Sequence, residues 1–471
     1  MSHTTADGIC LTIAGIKVCL NPSIDFMQYS KKVYLWAVTG ALGGFLFGFD
    51  TAVISGAEQA IQHYWALNVF QQGLTVASAL LGTILGAAFG SVPADKMGRK
   101  PALILIALLF LVSSICTAFS MSWLVFLIFR FIGGSAVGSS SVIAPIYISE
   151  ISPAKIRGKL VGMFQFNVVL GILLAYVSNY FIGNYFADQH AWRFMMGVQA
   201  IPSVIFLVLL AFIPESPRWL IIKKGLVDKA RNILTLINPA EMPTVLQAIQ
   251  ADTARIGRVS EKHSIWRRKY RFAVMLAMLI AFFNQFSGIN AILYYAPRIF
   301  EMAGLRKNNA LLSTIGIGMV IFIFTVVAVG LIDKVGRRKL MFIGTLGLIV
   351  SLGMISLSFF THSADNWTIV LYMLVFMAFF ALSQGTVIWV FISEIFPNEV
   401  RAQGQSVGSC THWSMDALIA FLFPFFLIKV GAGATFLFFT IMMVCQLIFV
   451  IKIMPETRGK SLEEIESYIL K

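Results

Sequence analysis

Charge is scarce in this 471-residue chain. Asp, Glu, Lys and Arg make up only 12% of its residues, whereas 58% are hydrophobic. Soluble globular domains have about 25% charged residues, so this composition excludes that class. The mean hydropathy of +0.82 agrees. The chain is therefore expected to be solvated by lipid.

Cysteines and motifs of catalytic chemistry are also scarce. The five cysteines, Cys10, Cys19, Cys116, Cys410 and Cys445, are scattered, so they indicate neither a disulfide framework nor a metal site. The sequence has no glycine-rich phosphate loop and no nucleophile arrangement beside its intramembrane charges. We therefore expect no enzyme, no cofactor and no metal. Energy for any transport should come from an ion gradient and not from ATP.

Long apolar stretches alternate with charged or turn residues along the chain. They predict an all-α membrane protein with twelve transmembrane helices, each near or above the roughly 20 residues that cross a hydrocarbon core. The predicted helices are 33–57, 71–92, 101–120, 122–149, 157–184, 192–213, 271–297, 308–332, 338–361, 366–396, 401–429 and 433–454.

Three charged motifs occur twice, in the same order and each time about half the chain apart. DKMGRK, SEISPAKIRG and PESPR, from Asp95, Ser149 and Pro214, return as DKVGRRK, SEIFPNEVRAQG and PETRG. Such a repeat predicts duplication of a six-helix membrane unit, which is typical of transporters.

This duplication defines the expected domains. They are a cytoplasmic N-terminal segment (1–32), a six-helix bundle (33–213), a cytoplasmic helical linker (214–270), a second six-helix bundle (271–454) and a cytoplasmic tail (455–471). Ile9 to Leu20 is apolar but too short to span a membrane, and no basic segment precedes it. We therefore expect no cleaved signal peptide and at most an interfacial contact there.

The distribution of basic residues predicts the orientation. Most of the 36 Lys and Arg residues fall on the side of the N-terminus. Arg193, Arg298, Arg306, Lys307 and Lys429 fall on the other side, and Arg130 lies within a span. The positive-inside rule then places both termini in the cytoplasm. This bias and attraction to anionic lipid account for the net charge of +14, so no nucleic-acid partner is expected.

The repeated charged residues emerge at one membrane face, where they can pair across neighbouring helices. They are Asp95, Arg99, Glu150, Arg157, Asp333, Arg337, Arg338, Glu394 and Arg401. Networks present in only one state would hold the cytoplasmic face closed as a gate. The alternative is that they only fix topology and helix ends, because hydrated pairs are individually weak.

Several motifs together resemble the sugar porter family of the major facilitators. Besides the repeats, they are GFLFGFDTAVISGA from Gly44, RFIGGSAVG from Arg130, PESPRWL from Pro214 and NQFSGINAILYYAP from Asn284. The resemblance implies the major facilitator fold, with two six-helix bundles around a central sugar site. It also implies a multi-pass plasma-membrane protein, in bacteria an inner-membrane one. The expected partners are sugar, protons and lipid, and the expected state is a monomer.

Two charges stand out inside the membrane, Asp50 and Arg130. Asp50 is about 27 Å from the cytoplasmic start of the first helix, and Arg130 is about 10 Å from the external end of the fourth. An unpaired ion at that depth is costly, so the two are predicted to pair. By resemblance they match the couple of bacterial sugar/proton symporters, with Asp50 carrying the proton and Arg130 tuning its pKa. The alternative is a static salt bridge in a uniporter.

A cluster of amides in the seventh helix, beside Gly288 and Pro297 that can break it, predicts a polar site near the midplane. Gln285 and Asn290 match sugar-contacting positions of the family. The full expected set of substrate-binding residues is Gln165, Asn284, Gln285, Asn290, Tyr294, Gly385, Trp389, His412, Trp413 and Asp416. Gly385 is also a possible point of bending. The alternative is that the amides only join helices.

The chain departs from the family pattern at five positions. Asn284 replaces Gln, Ile321 replaces Asn, Thr386 replaces Pro, His412 replaces Asn or Gln, and Asp416 replaces Asn. These changes argue against ordinary D-glucose specificity. His412 and Asp416 are four residues apart, on one helical face, and are predicted to pair. The pair would be a second protonatable element, a contact for an amino sugar or polyol, or simply structural.

The expected function is import of a hexose or pentose with a proton by alternating access. The first alternative is a facilitative sugar or myo-inositol uniporter. The presence of Asp50 favours proton-coupled uptake over this alternative. A remote alternative is a sugar sensor that has lost transport, but sensors of this fold tend to have a long cytoplasmic tail, which is short here after Met454.

Overall fold

A computed structural model describes residues 9–13, 16–20, 30–186, 190–256, 264–361, 366–397 and 399–459. Within these residues, twelve helical segments are long and apolar enough to cross a membrane, and we number them span 1 to span 12. Their bounds are Lys31–Tyr64, Val69–Phe89, Arg99–Ala118, Trp123–Ile151, Arg157–Tyr185, Ala191–Ala211, Arg268–Met302, Lys307–Val335, Arg337–Thr361, Asn366–Glu394, Arg401–Lys429 and Ala432–Lys452.

Three of the spans consist of more than one helix. Span 6 divides into Ala191–Gly197 and Ala200–Ala211. Span 7 begins with a 3₁₀ turn, Arg268–Tyr270, followed by helices Arg271–Phe286 and Ile289–Met302. Span 10 divides into Asn366–Leu382 and Gln384–Glu394.

The interruptions of spans 7 and 10 have local causes. Gly288 adopts a φ of +83°, a left-handed conformation that suits glycine. Tyr295, two residues before Pro297, leaves the helical region at φ −121° and ψ 15°. Ser383, two residues before Gly385, has φ −118° and ψ −90°. The expected irregularities of these two helices are therefore confirmed.

The predicted helix bounds agree with the structure within a few residues, except at the far ends of spans 1 and 7. Span 1 continues to Tyr64 and not to residue 57, and span 7 continues to Met302 and not to residue 297. Both extensions carry a charged residue, Glu58 and Arg298 respectively, at which a hydropathy criterion ends a helix.

Smaller elements lie outside the spans. Helices Ser91–Met97, Pro217–Lys224, Val227–Ile237 and Met242–Ile256 follow spans 2 and 6. Near the N-terminus, strands Ile9–Ile13 and Ile16–Leu20 pair antiparallel, with Ile9 opposite Leu20. The membrane-spanning part is all-α with twelve helices, as predicted, and the apolar N-terminal segment adds one pair of strands. Parts of the predicted terminal segments, 1–8, 14–15, 21–29 and 460–471, lie outside the described residues.

The spans form two six-helix bundles, which we call the first half (spans 1–6) and the second half (spans 7–12). Between the halves, span 1 packs on span 7, span 2 on span 11, and span 5 on span 8. Small residues permit close packing within a half: a Cβ on Gly134 of span 4 would lie 1.7 Å from the Ala79 carbonyl oxygen of span 2.

The two ends of the bundle differ in their residues. We call the end where spans 3 and 9 begin, at Arg99 and Arg337, the motif end. Span 1 ends at Tyr64 and span 2 begins at Val69 on the other face, which we call the opposite end. On the flanks, apolar side chains are exposed at helical spacing, as Leu105, Leu108, Val112 and Ile115 are on span 3. Such surfaces suit contact with lipid.

Candidate functional site

A buried ion pair joins spans 1 and 4 in the first half. Arg130 Nη1 lies 2.8 Å from Asp50 Oδ1. Asp50 is 4% exposed and Arg130 is 2% exposed, so their charges are shielded from solvent. The pairing that their depths predicted is present. Arg130 Nε has no hydrogen-bond partner among the described residues. The carboxylate of Asp50 is therefore the counter-charge that the structure gives to this guanidinium.

A small cavity lies beside this pair, and both halves line it. The first half contributes Asp50, Arg130 and apolar residues of spans 1, 2 and 4, whereas the second half contributes Tyr294 and Trp413. A proton or water that reaches Asp50 through this cavity is therefore near groups of both halves.

The predicted amides of span 7 form a hydrogen-bonded cluster. Gln285, which is fully buried, donates through Nε2 to Asn284 Oδ1 at 3.1 Å, and its Oε1 accepts from Asn290 Nδ2 at 2.8 Å. The same Nε2 lies 3.1 Å from both ring nitrogens of His412 on span 11. The break at Gly288 places Gln285 and Asn290 on either side of an irregular turn, which allows this contact over five residues.

Aromatic rings surround the His412 side of this cluster. The imidazole centroid lies 4.9 Å from Trp389 of span 10 and 4.9 Å from Trp413 of span 11. Phe47 of span 1 extends the group, with its ring 5.5 Å from Trp413. Amide donors and acceptors framed by indoles match the hydroxyls and C–H faces of a sugar.

The predicted pairing of His412 with Asp416 is wrong. Asp416 accepts at Oδ2 from the Tyr294 hydroxyl at 3.2 Å, whereas His412 contacts Gln285. Although spacing of four residues puts both on one helical face, each side chain finds a partner on span 7 instead. Asp416 is fully buried, and its Oδ1 has no partner among the described residues.

The remaining predicted substrate residues are tied less closely to the cluster. The Gln165 side chain on span 5 is half-buried and forms no hydrogen bond with the described residues. Gly385 follows the break of span 10, where the Gln384 carbonyl oxygen lies 3.5 Å from Asn284 Nδ2. Ile321 is buried and apolar, so the absent family amide leaves no polar replacement at that position.

At the motif end of the first half, Arg99 organises the repeated charges. Its guanidinium makes two contacts with Glu150, Nε–Oε2 at 3.0 Å and Nη2–Oε1 at 3.1 Å, and lies 3.1 Å from Asp95 Oδ1. Glu215 accepts from the backbone N–H groups of Arg99 at 3.0 Å and of Lys100 at 3.2 Å. Burial raises the pKa of Glu215, although the N–H donors and Arg99 oppose that rise.

The second half repeats this arrangement group for group. Arg337 contacts Glu394, Nη2–Oε1 at 2.8 Å and Nε–Oε2 at 3.1 Å, and lies 2.9 Å from Asp333 Oδ1. Glu456 accepts from the backbone N–H groups of Arg337 at 3.0 Å and of Arg338 at 3.1 Å. The duplication inferred from the motifs thus extends to individual hydrogen bonds.

Three predicted gate residues lie outside these ion pairs. Arg157 and Arg401 donate to backbone carbonyl oxygens five residues earlier, of Ser152 at 3.5 Å and Phe396 at 3.3 Å. Arg338 donates to the carbonyl oxygens of Val450, at 3.0 Å, and Ile451. Each is close to a helix end, where carbonyl groups lack an intrahelical partner, and backbone contact replaces the expected carboxylate contact.

The motif-end networks have two features that sequence reasoning missed. Each network lies within one half, so it does not join the two halves across their interface. Glu215 and Glu456, moreover, bind the first N–H groups of spans 3 and 9, where anionic groups are stabilised. The sequence carries an indication of this role, because both glutamates belong to the repeated Pro-Glu motif.

Comparisons with known proteins agree with this geometry. The sequence profile of the family described as Sugar (and other) transporter matches residues 36–468. The arabinose-proton symporter of Bacillus subtilis (strain 168) is 37% identical over 93% of this chain and 95% of that protein. The D-xylose-proton symporter of Escherichia coli (strain K12) is 35% identical over 93% of this chain and 96% of that protein.

A solved structure is also similar. The inward open conformation of the xylose transporter from E. coli matches with a TM-score of 0.83 and 33% sequence identity, covering 93% of this chain and 100% of that one.

Proposed function

Because this chain belongs to the sugar (and other) transporter family, we propose that it imports a monosaccharide together with a proton by alternating access. The observation that carries the proposal is the Asp50 and Arg130 pair, which is buried at 2.8 Å beside a cavity lined by both halves. The names of the arabinose-proton and D-xylose-proton symporters support the same coupling.

The coupling follows from electrostatics. While Asp50 is ionised, Arg130 is its counter-charge, and the two hold spans 1 and 4 together. A proton on Asp50 removes that attraction and leaves Arg130 in need of another acceptor, since a buried guanidinium without one is costly. Rearrangement of the shared cavity is then coupled to protonation, because Tyr294 and Trp413 of the second half line it.

The proposed sugar site is the amide cluster of span 7 with its aromatic surround. Gln285 and Asn290 offer donors and acceptors to hydroxyls, while Trp389 and Trp413 offer faces for the ring. His412 extends the contact to span 11. Asp416 Oδ1, which has no hydrogen-bond partner in the described part of the chain, is proposed to accept from a substrate hydroxyl after local rearrangement, because carboxylates are strong acceptors.

Gln165, Asn284, Tyr294 and Gly385 complete the proposed site. The proposed orientation places the motif end and both termini in the cytoplasm, following the positive-inside rule. In that orientation the motif-end networks brace the cytoplasmic ends of the spans within each half. We propose a monomer, because each half supplies part of one central site. We propose a bacterial inner membrane, because the similar arabinose-proton and D-xylose-proton symporters are proteins of bacteria.

Uptake into proteoliposomes tests the proposal. The purified protein is reconstituted, and labelled L-arabinose, D-xylose, D-glucose and myo-inositol are supplied with and without an inward proton gradient. Accumulation of a substrate above equilibrium only with the gradient is the expected result. The Asp50→Asn protein should equilibrate the same substrate without accumulating it, because the amide cannot carry the proton.

Asp228→Asn is the matched control, since Asp228 is an exposed acid of the linker that pairs with its neighbour Arg231. It should accumulate substrate like the unmodified protein. Downhill equilibration alone by the unmodified protein would identify a uniporter, with a structural Asp50 and Arg130 pair. Accumulation by Asp50→Asn would show that the proton binds elsewhere.

A further inference from the structure

An ion pair at the opposite end lies outside both the proposed sugar site and the repeated motifs. Arg298 of span 7 contacts Glu58 of span 1 through two bonds, Nε–Oε1 at 2.8 Å and Nη2–Oε2 at 2.9 Å. The Glu58 side chain is fully buried, and that of Arg298 is 14% exposed. Two parallel bonds between guanidinium and carboxylate fix geometry as well as charge.

Two glutamine side chains complete the group. Gln72 of span 2 donates through Nε2 to the Glu58 carboxylate and, at 3.1 Å, to its backbone carbonyl oxygen. Gln62 of span 1 accepts at Oε1 from Arg298 Nη2 at 2.5 Å. The charges are thus hydrogen-bonded by neutral amides, which is the condition under which a buried ion pair is tolerated.

This pair differs from the others in what it joins. Among the ion pairs described between span residues, those of Asp50, Arg99 and Arg337 each lie within one half. Glu58 belongs to the first half and Arg298 to the second, so their bonds cross the interface along which the halves must move. Separation of the halves at this end must break them.

The surrounding packing shows that the interface is closed at this end. A Cβ on Gly73, near the start of span 2, would lie 2.2 Å from the Phe421 carbonyl oxygen of span 11. Phe70 packs edge-on against the Phe421 ring, with centroids 5.2 Å apart. The backbones of the two halves therefore touch beside the ion pair, as expected when access from this side is blocked.

We propose that Glu58 and Arg298 form a charge latch that holds the opposite end closed and must open once in every transport cycle. The inference rests on the proposed alternating access. Opening hydrates both charges, so an isolated charge is far less costly in the open state than in the closed one. Removing one partner should therefore favour the open state, by roughly 100-fold in the ratio of open to closed molecules.

Distances between spin labels across the opposite end test the latch. The five cysteines are replaced by serine, and labelled cysteines are introduced at Met121, after span 3, and Val430, after span 11, which are both exposed. The reconstituted protein should show mainly short distances. Glu58→Gln and Arg298→Gln should each raise the long-distance population strongly. Arg306→Gln, which removes an exposed charge just before span 8 at the same end, should leave the distribution unchanged.

The charge swap Glu58→Arg with Arg298→Glu gives the decisive comparison. The amides of Gln62 and Gln72 can reverse to serve either charge, so the double variant should restore the short distances. An unchanged distribution in both single variants would overturn the latch, as would single-variant opening that the swap fails to reverse. If the single variants do not fold, Glu58→Asp takes their place, because its shorter side chain keeps the charge and loses the two-bond geometry.

The distances are compared between variants at one pH and without sugar, so the result is separate from the test of sugar accumulation. If the unmodified protein does not accumulate sugar but Glu58→Gln opens the opposite end, symport is contradicted and the latch stands. Sugar accumulation by the unmodified protein, together with no opening in Glu58→Gln, would contradict only the latch.

Discussion

Replacement of Gly98 by alanine should destabilise the first half for two separable reasons. Gly98 precedes span 3 with φ +114° and ψ 164°, a region that residues with a Cβ avoid, and the strain costs about 1–3 kcal/mol. The new Cβ would also lie 2.2 Å from Glu215 Oε2. Displacing that carboxylate from the N–H groups of span 3 costs about 1.5–3 kcal/mol more.

The total for Gly98→Ala is therefore about 2.5–6 kcal/mol, seen as a clear fall in apparent melting temperature in detergent. Gly336→Ala should behave alike, since its φ is +100° and its Cβ would lie 2.6 Å from Glu456 Oε2. Gly225→Ala is the matched control, because φ is +66° but no atom of the described residues lies within 4 Å of the added Cβ. It should cost only about 1–2 kcal/mol.

A double-mutant cycle separates the two causes. In a Glu215→Ala protein the clash is absent, so Gly98→Ala should add only the strain, and the two changes should cost less together than their sum. Equal losses in Gly98→Ala and Gly225→Ala would refute the reasoning. Strict additivity in the cycle would refute the contact between the added Cβ and the carboxylate.

Three further outcomes follow from the structure. Arg337→Lys should lower thermal stability and transport rate, since a lysine cannot make both contacts with Glu394; an unchanged melting temperature and uptake rate would contradict a role for the two-contact geometry. His412→Asn should alter the ranking of substrates in competitive uptake, because it removes the ring beside Gln285; an identical ranking would remove this residue from the sugar site. Gly134→Ala should cost about 1–3 kcal/mol through overpacking against span 2, and a melting temperature equal to that of the unmodified protein would contradict the backbone contact.

Much of the fold was predictable because its signals are local or repeated. Hydropathy located the twelve spans, and the motif repeat identified the two halves before any contact was known. The Asp50 and Arg130 contact was predictable from depth, because a charge in lipid needs a partner and few were available. Gly288 indicated the break of span 7 because glycine is suited to left-handed backbone.

The charge latch was not predictable in the same way. Glu58 and Arg298 are 240 residues apart in sequence, and neither lies in a repeated motif. The hydropathy criterion ended the first and seventh predicted helices just before these charges. In the structure both helices continue, because the two charges neutralise each other. The pairing of His412 with Asp416 failed for a related reason: spacing along a helix shows which residues share a face, but the partners on the facing helix decide the contacts.

The carboxylates that bind the starts of spans 3 and 9 have a consequence for biosynthesis. Glu215 follows span 6, and Glu456 follows span 12, so each half ends with the group that completes its own network. The first half can therefore form all its motif-end bonds before any residue of span 7 leaves the ribosome. Since domains generally fold as units during synthesis, the two halves can insert in succession as self-contained bundles, with the second half docking onto a completed first half.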